Sequence, residues 1–174
     1  MENRPIKTSV ILEEYFSLQV LIDRGDEPGD YLSYFKETTS LLEISVGMTT
    51  RLIKKITLLL TKEYDITYRK LNIDNYEIGD LKIEDNPRNS CSYFKTHVYR
   101  NGIRIALSEE KILKYIKMDR LYVGLSCSGR IVEICLCQLS PKEVKHIKRE
   151  LKYESKERRT GLKSVLGGFG AKNR

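Results

Sequence analysis

Residues 8–25 read TSVILEEYFSLQVLIDRG, and how that run folds decides what kind of molecule this is. Apolar residues recur at Ile11, Tyr15, Leu18 and Ile22, with Leu12 and Phe16 beside them. Steps of three and four are the period of a helix face, and Gly25 is a residue on which helices stop. DEPGD (26–30) reads as a turn. YLSYFKETTSLLE (31–43) places Tyr31, Phe35, Thr38 and Leu42 at helical spacing. MTTRLIKKITLLLTKEY (48–64) does the same with Leu52, Ile56 and Leu59, although its Thr and Ile also suit a strand. The expectation is a helical layer over 8–64.

Beyond it the pattern changes. Residues 65–90 hold short alternations and turn formers, which predict one or two short strands and a loop around Pro87. SYFKTHVYRNGIRIALS (92–108) predicts a hairpin turning on Asn101-Gly102, since that dipeptide tolerates the positive φ of a tight hairpin turn. EEKILKYIKM (109–118), preceded by Ser108 as a cap and opening on acids, predicts a short helix. DRLYVGLSCSGRIVEICLCQ (119–138) predicts a second hairpin. Leu121, Val123 and Leu125 alternate inward, Ser128-Gly129 turns the chain, and Val132, Ile134 and Leu136 alternate back. A last helix starts at Ser140, with Pro141 at its first position and Glu143 completing a capping box. The expected class is α+β. An N-terminal helical layer is followed by an antiparallel sheet of hairpins with an intervening helix and a C-terminal basic helix (90–155). The expected organisation is one domain over 1–155 and a flexible, basic, Gly-rich arm over 156–174.

The net charge of +7 is unevenly spread. From Pro141 to Arg174 there are eleven Lys and Arg against four Glu, so this fifth of the chain carries the whole excess. Such asymmetry points to an anionic partner: nucleic acid, a nucleoprotein or an acidic membrane surface. The residues expected to make that contact are Lys142, Lys145, Lys148, Arg149, Lys152, Lys156, Arg158, Arg159 and Lys163. The rival reading of a lysine-rich helix is plain solvated surface. No apolar run approaches the about 20 residues that span a bilayer, and the N-terminus lacks the apolar core of a signal peptide, which fits a reducing cytosol.

Chemistry inside the fold finds little support. Cys135 and Cys137 share one face of a strand, without the tight turn of a zinc clamp, and buried small filler is their expected role. His97 and His146 have no local nucleophile signature. GLKSVLGGFG (161–170) lacks the ending of a phosphate loop. No catalytic, cofactor or metal site is expected, and the chain is read as a non-enzyme.

The run from Tyr93 to Leu139 resembles the core of rhabdovirus matrix proteins in its order of strand, turn, strand, helix, strand, turn, strand. The likeness is closest in DRLYVGLS (119–126), where Asp119 and Tyr122 precede Gly124, and IVEICLCQLS (131–140) matches the return strand. The run covers about a quarter of the chain. The chain lacks a Pro-Pro-x-Tyr motif and carries its basic arm at the C-terminal end, which is more similar to the plant-infecting, cytorhabdovirus-like members. The resemblance implies a viral matrix protein that self-associates, binds the nucleoprotein–RNA complex and contacts the anionic inner face of the envelope. It implies a place in the virion between nucleocapsid and envelope, and in the host cytoplasm and at its membranes. Further implied partners are a second copy, met through Phe169 of the arm, and the envelope glycoprotein tail. Two other readings stand beside it: a basic nucleic-acid-binding regulator of phage or plasmid origin, and a non-enzymatic secretion-chaperone-like binding module.

Overall fold

The computed structural model describes residues 6–13, 17–36, 40–59, 61, 64–83, 90–91 and 94–151. The expected helical layer is not there. Its residues form the strands β1 (Thr8–Glu13), β2 (Ser17–Ile22), β3 (Gly29–Lys36), β4 (Ser40–Gly47) and β5 (Ile53–Leu59). The reason is parity. A step of four is also two steps of two, so Leu18 and Ile22 fit a helix face and a strand face equally. Val20 sits between them and is buried with them. Leu42, Ile44 and Val46, then Ile56 and Leu58, repeat the pattern of alternate burial. The β-branched residues at these positions favour the strand further.

The later strands are β6 (Tyr64–Ile66), β7 (Glu77–Ile78), β8 (Ser90–Cys91), β9 (Lys95–Val98), β10 (Ile103–Ala106), β11 (Lys114–Met118), β12 (Leu121–Leu125) and β13 (Ile131–Leu136). They complete two sheets. One has the order β1-β2-β5-β4-β3-β8 and the other β6-β9-β10-β13-β12-β11-β7. The sheets pack face to face, with Leu18, Val20, Ile56 and Leu58 of the first meeting Ile103, Ile105, Leu121, Ile134 and Leu136 of the second. The architecture is thus a β-sandwich with one appended helix among the described residues, not α+β. Side chains tie the layers at their margins. Thr8 donates its N–H (2.9 Å) and its hydroxyl (2.7 Å) to Asp119, and Arg24 pairs with Asp80.

The helix expected over 109–118 is also absent. Ser108 does accept the Glu110 N–H at 3.3 Å, as a cap would, but the chain then extends into β11. There Ile116 and Met118 turn into the core while Tyr115 and Lys117 face outward, so the alternation outweighs the capping signal. Both hairpins form where the sequence places them. β9 pairs with β10, and β12 with β13, in antiparallel register. The Ser128-Gly129 turn has Gly129 at φ 79°. In the first hairpin the tight turn centres one residue earlier than expected, with Tyr99 N–H bonded to Gly102 C=O at 2.8 Å. Gly102 is needed there for space, since a Cβ would stand 2.5 Å from the Leu136 carbonyl oxygen.

The last expected helix is present as α1 (141–151). The Ser140 N–H donates to the Glu143 carboxylate at 2.6 Å, and the Glu143 N–H donates to the Ser140 hydroxyl at 3.2 Å, closing the capping box. Leu139 and Val144, the expected staple, are buried in the same core as Ile147 and Leu151. Burial works against the Glu143 charge, but the Ser140 bonds and the Arg120 guanidinium at 3.2 Å outweigh it and hold the carboxyl below the usual range. A depressed carboxyl contributes stability that is full above its unfolded pKa and lost as pH falls through its folded one. Glu143→Gln is therefore expected to destabilise the protein at neutral pH and to match wild type once the solution is more acidic than that depressed value. Denaturant melts across the acid range measure the convergence. Ser140→Ala should cost about 1 kcal/mol at neutral pH.

The expected arm over 156–174 lies outside the described residues.

Candidate nucleic-acid interface

The helix end of the sandwich carries the charge. α1 turns Val144, Ile147 and Leu151 inward and leaves Lys142, Lys145 and Arg149 exposed, with Lys148 at the margin. Two loops rise beside it. One is the Tyr99–Gly102 turn, which presents Arg100. The other is 67–71, which presents Tyr68, Arg69 and Lys70. Arg100 N–H donates to the Arg69 carbonyl at 2.9 Å. Asn101 does the clamping, because its Oδ1 accepts the Leu71 N–H at 2.7 Å and its Nδ2 donates to the Leu71 carbonyl at 3.2 Å. The Asn101 carbonyl also accepts the Leu139 N–H at 2.9 Å. One residue thus fixes the loop, the hairpin and the approach to the helix in a single arrangement.

Between these elements lies an open groove of about 530 Å³, lined by Tyr68, Arg100, Pro141, Val144, Lys145, Lys148 and Arg149. Its floor is apolar, and among the described residues its rim holds four cations and no carboxylate. Tyr68 is 87% exposed, an unusual placement for a large aromatic ring. The Lys148 ammonium stands 5.4 Å from the centre of that ring, within cation–π range. Arg149 is partly engaged by Glu150 at 2.9 Å and by His146 Nδ1 at 3.1 Å.

Of the nine cations expected to meet an anionic partner, the structure brings Lys145, Lys148 and Arg149 to one groove and leaves Lys142 exposed on the same helix. Lys152, Lys156, Arg158, Arg159 and Lys163 lie outside the described residues, as does Phe169. Sequence reading missed Tyr68, Arg69, Lys70 and Arg100. Their signal is the basic–aromatic tetrapeptide TYRK (67–70), which lies within a stretch that periodicity does not resolve.

The remaining chemistry-bearing residues lie on the outer face of the seven-stranded sheet. Strand register sets Lys117, Tyr122, Cys135, Arg104, His97 and Asp65 in one row across it. The Glu133 carboxylate is buried and accepts from Arg104 Nε at 2.5 Å, the Tyr115 hydroxyl at 2.5 Å and the Cys135 thiol at 3.4 Å. Gly124 makes room for this, since a Cβ there would lie 3.1 Å from both Glu133 and Tyr115. Burial, then Glu133, pushes the Cys135 thiol well above its usual pKa, and burial alone raises Cys137 to about 11. Both thiols fill a second apolar cluster with Leu71 and Tyr122, the expected small-filler role. Cys127 is exposed at the hairpin end. Burial lowers the pKa of His97 despite Asp65 at 3.5 Å. Among the described residues no helix is long and apolar enough to cross a membrane.

No family model and no curated protein matches the chain.

Proposed function

We propose that the chain is a nucleic-acid-binding protein that holds single-stranded RNA or DNA in the groove between α1 and the 67–71 loop. The observation that carries this reading is the exposed Tyr68 ring set among Arg100, Lys145, Lys148 and Arg149. A cationic groove with an aromatic platform is the chemistry of single-strand binding, because phosphates follow the charge while an unpaired base stacks on the ring. A duplex keeps its base faces covered and offers Tyr68 nothing to stack on. A lipid surface fits less well. The apolar stripe of α1 faces the core, so the helix has only charge to offer a membrane.

The matrix resemblance drew most on 119–126 and 131–140, which contain β12 and β13, and also on a helix between the hairpins, where the strand β11 stands instead. The RNA-bearing partner of that reading would meet the same groove.

The test is fluorescence anisotropy with a labelled single-stranded oligonucleotide, its duplex, and vesicles containing phosphatidylserine. Single strands should bind most tightly. With about four phosphates contacted, a fourfold rise in salt should weaken binding roughly 50-fold. Tyr68→Ala should cost about 1–3 kcal/mol of binding and Tyr68→Phe much less. Lys145→Ala with Lys148→Ala should weaken binding to all sequences alike and flatten the salt slope. Equal affinity for duplex and single strand, or preference for the vesicles with Tyr68→Ala unchanged, would overturn the assignment.

A further inference from the structure

Sheet edges are where a sandwich meets other chains, and among the described residues three of the four edge strands are short. β8, β6 and β7 span two, three and two residues, whereas β1 spans six. β1 carries no Pro or Lys, the residues that usually blunt an edge. Its hydrogen-bonding phase is fixed by the Asp23 N–H, which donates to the Lys7 carbonyl at 3.1 Å, and by the register Thr8↔Ile22 through Glu13↔Ser17. Residues 7, 9, 11 and 13 therefore bond to β2, and the backbone groups of Thr8, Val10 and Leu12 point away from the sheet. The Thr8 N–H confirms the phase by donating outward to Asp119.

We propose that β1 is a dimerisation edge that pairs antiparallel with β1 of a second copy about a two-fold axis at Val10. This goes beyond the nucleic-acid reading and does not depend on it. The occupant is a second copy because the strand is complementary to itself in one register. Setting Val10 against its own copy places Thr8 opposite Leu12, Ser9 opposite Ile11 and Lys7 opposite Glu13. The hydrogen-bonding residues 8, 10 and 12 then face one another, as an antiparallel ladder requires. The half-buried inner-face residues Thr8, Val10 and Leu12 also line up and would extend the core across the axis. On the outer face the exposed Ile11 is covered, and each exposed Lys7 meets an exposed Glu13 of opposite charge. Pairing requires Asp119 to release the Thr8 N–H to the Leu12 C=O of the second copy, after which the ladder has two bonds between the Val10 residues and two at each Thr8–Leu12 pair, six across the axis. Together the pairing joins two six-stranded sheets into one of twelve.

Sedimentation velocity of the full chain over a range of concentrations tests this. Wild type should show a monomer–dimer equilibrium. Ser9→Lys with Ile11→Lys sets like charges opposite each other twice and should raise the dissociation constant at least about tenfold. Both positions face solvent or nearly so, and circular dichroism should be unchanged. In a Cys127→Ser background, Ser9→Cys with Ile11→Cys should give disulfide-linked dimers on mild oxidation, because these positions form a non-hydrogen-bonded pair at a bridgeable distance. Ser9→Cys with Glu13→Cys, one register step away, should not. A monomer at every concentration, a dimer indifferent to the lysines, or equal cross-linking of the two cysteine pairs would overturn the proposal. Oligonucleotide binding by the lysine variant is expected to persist, so the two proposals fail separately.

Discussion

Arg104→Ala is expected to cost the fold about 3 kcal/mol, the lower part of the range for removing one partner of a buried ion pair. The Glu133 side chain is 3% exposed, while that of Arg104 is 38% exposed. Removing the guanidinium leaves the buried carboxylate, among the described residues, with the Tyr115 hydroxyl and the Cys135 thiol as its side-chain donors. For a chain of this size the loss should lower the melting temperature by roughly 10 °C. Paired replacement is the informative control. Arg104→Met with Glu133→Leu removes both charges together and should recover most of the stability, since an apolar pair of similar volume replaces the ion pair at little net cost. Thermal and denaturant melts of the three proteins decide the matter. A single variant within about 0.5 kcal/mol of wild type would mean that the Glu133 network contributes nothing.

Leu121→Ala should be at least as damaging. Leu121 is fully buried at the seam of the two sheets, in contact with a residual space of only about 10 Å³. Truncation removes buried apolar surface and opens a cavity that rigid strands on both sides cannot close, which costs about 3–5 kcal/mol. Leu121→Met keeps the volume and should cost less than about 1.5 kcal/mol. Leu113→Ala is the surface control, since Leu113 is 65% exposed and its loss should be nearly neutral. Equal melts for Leu121→Ala and Leu113→Ala would contradict the face-to-face packing.

The C-terminal half was largely legible because its local signals agree with one another. Ser128-Gly129 and the Ser140–Glu143 box mark boundaries that the structure honours, and Asn101-Gly102 lies one residue from the turn it marks, without the positive φ expected of it. The N-terminal half was misread because a spacing of four, as from Leu18 to Ile22, satisfies two periods at once, whereas Ile11 and Leu59, which fit only the helical period, prove exposed and half-buried. The deciding information was the burial of Val20 between Leu18 and Ile22, and likewise of Ile44 between Leu42 and Val46, which depends on a facing sheet that no local window contains. At 109–118 a real capping contact from Ser108 was outweighed by pairing with β12, again a partner distant from the local signal. Half of the candidate interface was legible as charge on α1. Tyr68, Arg69 and Arg100 join it through long-range bonds, the Asn101 clamp and the Arg100–Arg69 bond, which link residues about 30 apart in the chain.

That clamp has a kinetic consequence. With the loop, the hairpin and the helix already mounted on one asparagine, little backbone would need ordering if a single strand binds as proposed, and the entropic cost would fall mainly on the lysine side chains. Encounter should then be a single fast step steered by long-range attraction, with an association rate that declines as ionic strength rises.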